Sequence, residues 1–262
     1  MNYRTKKRFG QHFLCDQAVI AKIIDAARIE ANQKVVEIGP GLGVLTDRLL
    51  PLADQVHVME IDRDLITRLE QRSESNLHVH AGDVLKIDWA ETLTAPPYTL
   101  VANLPYNISS QIVFRLLDHR LLFNRMVLMF QREVGERLCA QPGTRDYGIL
   151  SVLCQLWYDI RPVTHVPPES FNPPPKVDSI VLSFAPLATP RVDPGNELFF
   201  RRVVKAAFTQ RRKTLRNSLQ AGGFQVEMID PALETVGIDP TRRGETLTLN
   251  DFSRLSQSLD NS

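Results

Sequence analysis

Five short runs of apolar and β-branched residues recur along the first half of the chain: KVVEIG (34–39), QVHVMEI (55–61), LHVHAGD (77–83), YTLVANL (98–104) and RMVLMFQ (125–131). Between them, segments such as VLTDRLLPLA and RDLITRLEQR carry apolar residues at three- and four-residue spacing, the period of an amphipathic helix. Strand, helix, strand at this pace predicts a parallel sheet covered on both faces, with ligands bound beyond the carboxyl ends of its strands. Ahead of the first run, Asp16 is placed to cap a helix over AVIAKIIDAAR, with Val19, Ile20, Ile23, Ile24 and Ala27 on one face. After the fifth run, GILSVLCQLW reads as a helix, and WYDIRPVTHV and DSIVLSF as a closing antiparallel pair of strands. The Pro-dense VPPESFNPPPK between that pair predicts an extended, stiff loop. APLATPRVDPG (185–195) reads as a boundary, and only helical patterns follow it. The expected organisation is a large α/β domain over 1–187 and a small helical domain over 188–262.

Composition narrows this little. A chain of 262 residues with 43% hydrophobic and 23% charged residues can bury an ordinary soluble core. No apolar run reaches the roughly 18 residues of a membrane helix, and MNYRTKKRFGQHFL is basic without the apolar stretch of a secretory signal. Three scattered cysteines (Cys15, Cys139, Cys154) make neither a disulfide framework nor a zinc cage. A cytoplasmic protein with no metal, no membrane contact and no oligomer signal, hence a monomer, is expected. The net charge of +1 means that any contact with nucleic acid must come from locally concentrated cations.

Chemistry enters directly after the first strand, in Glu37-Ile-Gly-Pro-Gly-Leu-Gly43. Glycines there let the backbone turn tightly and approach a ligand. A dinucleotide fingerprint would need a glycine where Val44 stands. The pattern resembles instead motif I of the S-adenosylmethionine-dependent methyltransferases, with a plain structural turn as the alternative. Glu60, ending the second strand, can accept hydrogen bonds from both hydroxyls of a ribose. Asp83, ending the third strand beside Val84, can accept from an exocyclic amine of adenine. A solvated turn or a helix cap is the other reading of such an acid. After the fourth strand comes Asn103-Leu104-Pro105-Tyr106, which resembles the signature of methyltransferases acting on amino groups conjugated to a planar ring. The Asn103 side-chain oxygen and a backbone carbonyl beside Pro105 can bind the two hydrogens of such an amine and draw its lone pair out of conjugation. Tyr106 can stack on the base. Phe171, among Pro167, Pro168, Pro173, Pro174 and Pro175, is expected outside ordinary packing, covering the base's other face.

The cations are clustered. Arg4, Lys6, Lys7 and Arg8 lie together near the start. Arg201, Arg202, Lys205, Arg211, Arg212, Lys213 and Arg216 form a second set with no Asp or Glu between them. Phosphate contacts of an RNA are expected of both sets, positioning rather than reading sequence.

Together, K6-K-R-F-G-Q-H-F-L14, E37-I-G-P-G-L-G43, Glu60, G82-D83, N103-L-P-Y106, Q131-R-E-V134 and F171-N-P-P-P-K-V-D-S179 resemble, nearly end to end, the small-subunit (16S) ribosomal RNA adenine N6,N6-dimethyltransferase family, the KsgA family. The resemblance implies a Rossmann-like class I methyltransferase fold, with a seven-stranded, mostly parallel sheet and a C-terminal all-helical domain. It implies S-adenosylmethionine as cofactor, held by His12, Leu14, Gly39, Gly41, Glu60, Asp83, Val84 and Asn103. Catalysis falls to Asn103, Leu104, Pro105, Tyr106 and Phe171. The implied substrate is two adjacent adenosines near the 3′ end of 16S rRNA in the immature 30S subunit, with an added role as a late assembly checkpoint. Position 12 holds His where many relatives have Asn; both can bond the cofactor's tail, and an imidazole that titrates would add pH sensitivity. A large-subunit rRNA adenine methyltransferase of the macrolide-resistance type shares the architecture and is the competing enzyme. A protein-glutamine methyltransferase is disfavoured by Leu104 and by the basic helices.

Overall fold

A computed structural model describes residues 11–260. The elements in chain order are β1 (Phe13–Leu14), α1 (Gln17–Ala27), β2 (Lys34–Ile38), α2 (Thr46–Leu49), β3 (Gln55–Glu60), α3 (Arg63–Glu70), β4 (Leu77–Ala81), α4 (Trp89–Thr92), β5 (Tyr98–Asn103), α5 (Ser109–Asp118) and β6 (Phe123–Gln131). They continue with α6 (Arg132–Cys139), α7 (Ile149–Trp157), β7 (Tyr158–Val166), β8 (Phe171–Asn172), β9 (Ser179–Pro186), α8 (Glu197–Ala207), α9 (Leu215–Ala221), α10 (Val226–Thr235) and α11 (Leu249–Asp260).

The five apolar runs are the parallel core of one seven-stranded sheet, ordered β4-β3-β2-β5-β6-β9-β7. β9 returns antiparallel to β6, and β7 beside it closes that end. This is the Rossmann-like class I architecture. Strands buried on both faces read as near-continuous apolar runs, and Val35, Val56, Val58, Val101, Val127 and Val181 are all buried. α1 covers one face with Val19, Ile20, Ile23 and Ala27, with Ile24 packed partly buried against the same core. Each fully buried Val or Ile side chain there contributes roughly 1.5–3 kcal/mol. Asp16 caps α1 as its position predicts, accepting from the amides of Ala18 (2.9 Å) and Val19 (3.2 Å). VLTDRLLPLA yields only the one-turn α2.

Two features depart from the pattern reading. The Pro-dense segment is not simply extended: a 3-10 turn over Pro168–Ser170 leads into β8, which pairs antiparallel with β1, Leu14 opposite Phe171. The chain also divides into one compact unit of residues 1–135 and 160–186 and another of 136–159 and 187–262. Residues 136–159 therefore group with the C-terminal helices, whereas the boundary expected at 187/188 would leave them with the sheet. The reason is local to that second unit: the Ser151 and Gln155 side chains on α7 donate to carbonyls of residues 137–140. Arg191 donates back to the carbonyls of Gln155 and Tyr158.

Within the second unit, Asn196 and Thr214 cap α8 and α9, and Phe200, Val204, Leu219, Leu233, Phe252 and Leu255 are buried. A methyl group on Gly222 would overlap Ala206, so only glycine lets the end of α9 close on α8. Among the described residues, no helix is long and apolar enough to cross a membrane.

Candidate active site

Sheet register assembles the site. Ile38 of β2 lies level with Met59 of β3 and Ala102 of β5, so the next residues, Gly39, Glu60 and Asn103, emerge side by side at the carboxyl edge. There they line a cavity of about 700 Å³ with Glu37, Gly41, Leu104, Pro105 and Tyr106. The short β1–β8 ribbon walls its other side through His12, Phe13, Leu14, Asn172 and Pro173. Gly39 and Gly41 both have left-handed backbones, φ +66° and +59°, a region that glycine enters without the Cβ penalty. At Gly41 the Phe13 ring lies so near that a Cβ would stand 2.9 Å from its Cε1.

Glu60 is 6% exposed, and its Oε1 accepts from the amides of Ile61 (2.8 Å) and Asp62 (2.9 Å). Burial raises its pKa while those amides, with that of Gly41, favour the charged form. Glu37 is 1% exposed; its Oε2 accepts from the Thr46 hydroxyl at 2.6 Å, and burial pushes its pKa up to about 8. Its side chain reaches the cavity, a placement the motif concealed because its strand neighbours are all core. Among the described residues, no Lys or Arg lines the cavity. Such a lining, with two acidic side chains and no described cation, suits a cationic nucleoside and rejects a pyrophosphate. It therefore fits S-adenosylmethionine.

Asn103 projects from the end of β5, its Nδ2 donating to the His12 carbonyl at 3.1 Å. A carbonyl can only accept, so this bond fixes the carboxamide's orientation. Its Oδ1 receives no donor from any described residue. The Leu104 carbonyl is likewise unengaged among the described residues, while the next one, of Pro105, is taken by the Ile108 amide at 3.2 Å. Two open acceptors thus stand on consecutive residues. The His12 Nδ1 donates to the Pro173 carbonyl (2.8 Å), and its ring stacks on Tyr106 with centroids 5.8 Å apart. The Tyr106 hydroxyl shares a 2.6 Å hydrogen bond with Ser179, and burial raises its pKa.

Two expectations need correction, and Asp83 and Val84 fall outside the cavity's lining. Phe171 is not held out of the core: it is 3% exposed, within the cluster that includes Val19, Ile23 and Val181, because its strand pairing turns the ring inward. Asp83 and Val84 do not line the cavity; the Asp83 Oδ1 caps its own turn, accepting from Leu85 N at 2.9 Å, although the Gly82 amide bonds the Glu60 carbonyl nearby (2.8 Å). The second cation set has counter-charges that lie elsewhere in the sequence. Arg201 pairs with Glu197 (2.8 Å), Arg211 with Glu245 (3.3 Å), and Arg216 with both oxygens of Asp230 (2.6 and 2.8 Å). Arg202 lies over the Phe224 ring, 4.6 Å from its centroid, and with Arg201, Lys205 and Thr209 lines a second hollow of about 420 Å³. Arg212 and Lys213 have no described side-chain partner. Arg4, Lys6, Lys7 and Arg8 lie outside the described residues.

The sheet order and the glycine-bordered, carboxylate-lined cavity at its carboxyl edge define a class I methyltransferase. The chain matches the family model described as ribosomal RNA adenine dimethylase over residues 2–261, and it belongs to that family. It is 62% identical to Ribosomal RNA small subunit methyltransferase A of Syntrophotalea carbinolica over 99% of this chain and 98% of that protein. The protein of the same description in Geobacter sulfurreducens is 48% identical over 98% and 95%. Among solved structures, a dimethyladenosine transferase from Plasmodium falciparum superposes with TM-score 0.80 at 32% identity, covering 93% of this chain and 96% of that one. The 23S rRNA methyltransferase ErmE gives TM-score 0.68 at 27% identity, covering 95% and 99%.

Proposed function

We propose that this protein transfers two methyl groups from S-adenosylmethionine to N6 of each of two adjacent adenosines near the 3′ end of 16S rRNA. It does so in the cytoplasm, on the immature 30S subunit. Family membership and the small-subunit methyltransferase relatives support adenine dimethylation of small-subunit rRNA. The observation that carries the chemistry is the pair of open acceptors, Asn103 Oδ1 and the Leu104 carbonyl, at residues lining one cavity.

Adenine N6 bears two hydrogens and a lone pair delocalised into the ring. Two acceptors held in place bind those hydrogens and favour a pyramidal nitrogen with its lone pair localised. Pro105 has no N–H to compete for the Leu104 carbonyl and fixes the turn that presents it. Tyr106 offers a ring face for stacking, a contact of about 1–3 kcal/mol. When bound, S-adenosylmethionine supplies an electrophilic methyl on a cationic sulfur. Glu60 would accept from its ribose, Gly39 and Gly41 would lay backbone against it, and His12 and Leu14 would border its tail. Asp83 and Val84, held near Glu60 through Gly82, would meet its adenine edge. Arg212 and Lys213, without a side-chain partner among the described residues, support a grip on precursor rRNA and with it an assembly-checkpoint role.

The test is transfer of tritiated methyl from S-adenosylmethionine to small subunits from cells lacking the protein, followed by nucleoside analysis. Dimethyladenosine at two adjacent 3′-end positions is expected. Label confined to large-subunit rRNA, or no label at all, overturns the reading.

A further inference from the structure

Glu37 is a buried carboxyl without a committed counter-ion. Its hydrogen-bond donor is the neutral Thr46 hydroxyl on α2. The charged groups that act on it are Glu60 on β3, Asp47 on α2 and Arg72 just beyond α3. Two of these three are acids. Arg72 is already spent on Asp47 at 2.7 Å and Glu74 at 2.6 Å. Among the described residues, the cavity that Glu37 lines supplies no Lys or Arg. A positive charge entering that cavity is thus the partner the carboxylate lacks, and an uncharged ligand leaves it lacking one.

We infer that Glu37 is the charge-sensing residue of this cavity: its carboxyl ionises when a cationic cofactor enters and takes its proton back when the neutral thioether product remains. The carboxyl thereby sets a preference for S-adenosylmethionine over S-adenosylhomocysteine. This rests on the reading that S-adenosylmethionine is the cofactor. The ligand's charge falls by one when the methyl leaves, because the sulfur keeps the bonding pair. The interaction that tightened binding is then withdrawn at the moment the product must go. Glu60 cannot take over the role, since its Oε1 is engaged by two backbone amides that stabilise its charge whatever the ligand.

The sign of the linkage is fixed. With the free-state value near 8, a cation that lowers it makes binding release a proton, so affinity rises with pH up to about 8 and is flat above it. Calorimetric titration of the full-length protein with each ligand from pH 6.5 to 8.5, in buffers of different ionisation heat, reads both affinity and protons released. The ratio of S-adenosylmethionine to S-adenosylhomocysteine affinity is expected to rise about tenfold over that range, with close to one proton released near pH 7. An analogue carrying an ammonium in place of the sulfonium behaves like S-adenosylmethionine. In Glu37→Gln, which still accepts from Thr46, the rise is lost. The ligands' own amino groups titrate equally in both proteins, so the difference isolates this carboxyl. A pH-dependent ratio that survives Glu37→Gln, or wild-type binding without proton release, overturns the inference alone. Failure of the wild type to bind either ligand at any pH overturns the cofactor reading and the inference with it.

Discussion

Replacing Asn103 by Ala removes two things at once, and the structure separates them. The first is the hydrogen bond from Nδ2 to the His12 carbonyl, 3.1 Å long and partly buried. A net 0.5–1.5 kcal/mol is typical for such a bond, and in a chain of 262 residues that is a drop of roughly 1–6 °C in Tm. The second is the Oδ1 acceptor, which forms no bond within the described protein and so contributes nothing to folding. Its loss falls on the transition state alone. Removing one preorganised hydrogen-bonding group from an active site costs about 10²–10³ in kcat, the expectation for Asn103→Ala under saturating cofactor and subunits. Asn103→Asp is the control: it keeps an acceptor but sets an anionic oxygen against the His12 carbonyl, so it should lose stability as well as rate. The assays are single-turnover methyl transfer, calorimetric cofactor binding and thermal unfolding. Wild-type turnover in Asn103→Ala, or a rate loss matched by an equal loss of cofactor affinity, would refute the two-acceptor reasoning.

Gly39→Ala and Gly41→Ala both force an alanine to positive φ, at about 1–2 kcal/mol each, but only at position 41 would the methyl also press on Phe13. Calorimetry should therefore show the larger affinity loss for Gly41→Ala once stability is matched; equal losses would refute the steric argument. His57, 8% exposed, shares a 3.0 Å contact with the His80 ring and stacks on His78, and burial holds its pKa at about 4. The unfolded chain, titrating near 6.5, binds the proton more readily, so stability falls as pH drops from about 6.5 towards 4, by up to about 3 kcal/mol. Urea unfolding at pH 7.5 and 5 should show that slope reduced in His57→Phe, and an unchanged slope would exclude the cluster as its source. Arg212→Ala with Lys213→Ala should flatten the salt dependence of rRNA binding by about 0.7–0.9 for each phosphate no longer neutralised, with little change in Tm. Arg216→Ala, which breaks the pair with Asp230, should leave the salt slope nearer wild type; the reverse ordering in filter binding would invert the assignment.

What could be read from the sequence was what depends on neighbours. Strands buried on both faces must be apolar throughout, so β2, β3, β5 and β6 stand out as runs; Asp16 caps a helix two residues away; the glycines after β2 sit where only a turn can be. What could not be read depends on residues brought together by folding. Phe171 looks exposed among prolines, and only its pairing with Leu14 across the β1–β8 ribbon buries it. The cations on α8 and beyond look unbalanced because Asp230 and Glu245 lie many residues downstream. Glu37 reads as the first letter of a glycine motif, while its significance is its burial beside Glu60 and the lack of a cation among the described residues of the cavity.

The Pro-rich loop shows how a sequence signal can be right about importance and wrong about means. If Phe171 does not stack on a base, the loop acts through its backbone. The Ser170 carbonyl accepts from the amides of Cys15 (2.8 Å) and Asp16 (3.3 Å), and the Ser170 hydroxyl donates to Asp16 (3.0 Å). The Pro173 carbonyl takes the His12 imidazole. The loop thereby pins residues 12–16, and the His12 carbonyl in turn orients the Asn103 carboxamide. The orientation of the Asn103 carboxamide is set from about 70 residues further along the chain, through three short links that each use main-chain oxygen. Stiffness in that loop then holds the Asn103 carboxamide in place, since slack in any link would let it turn, and the prolines that punctuate the loop restrict that slack.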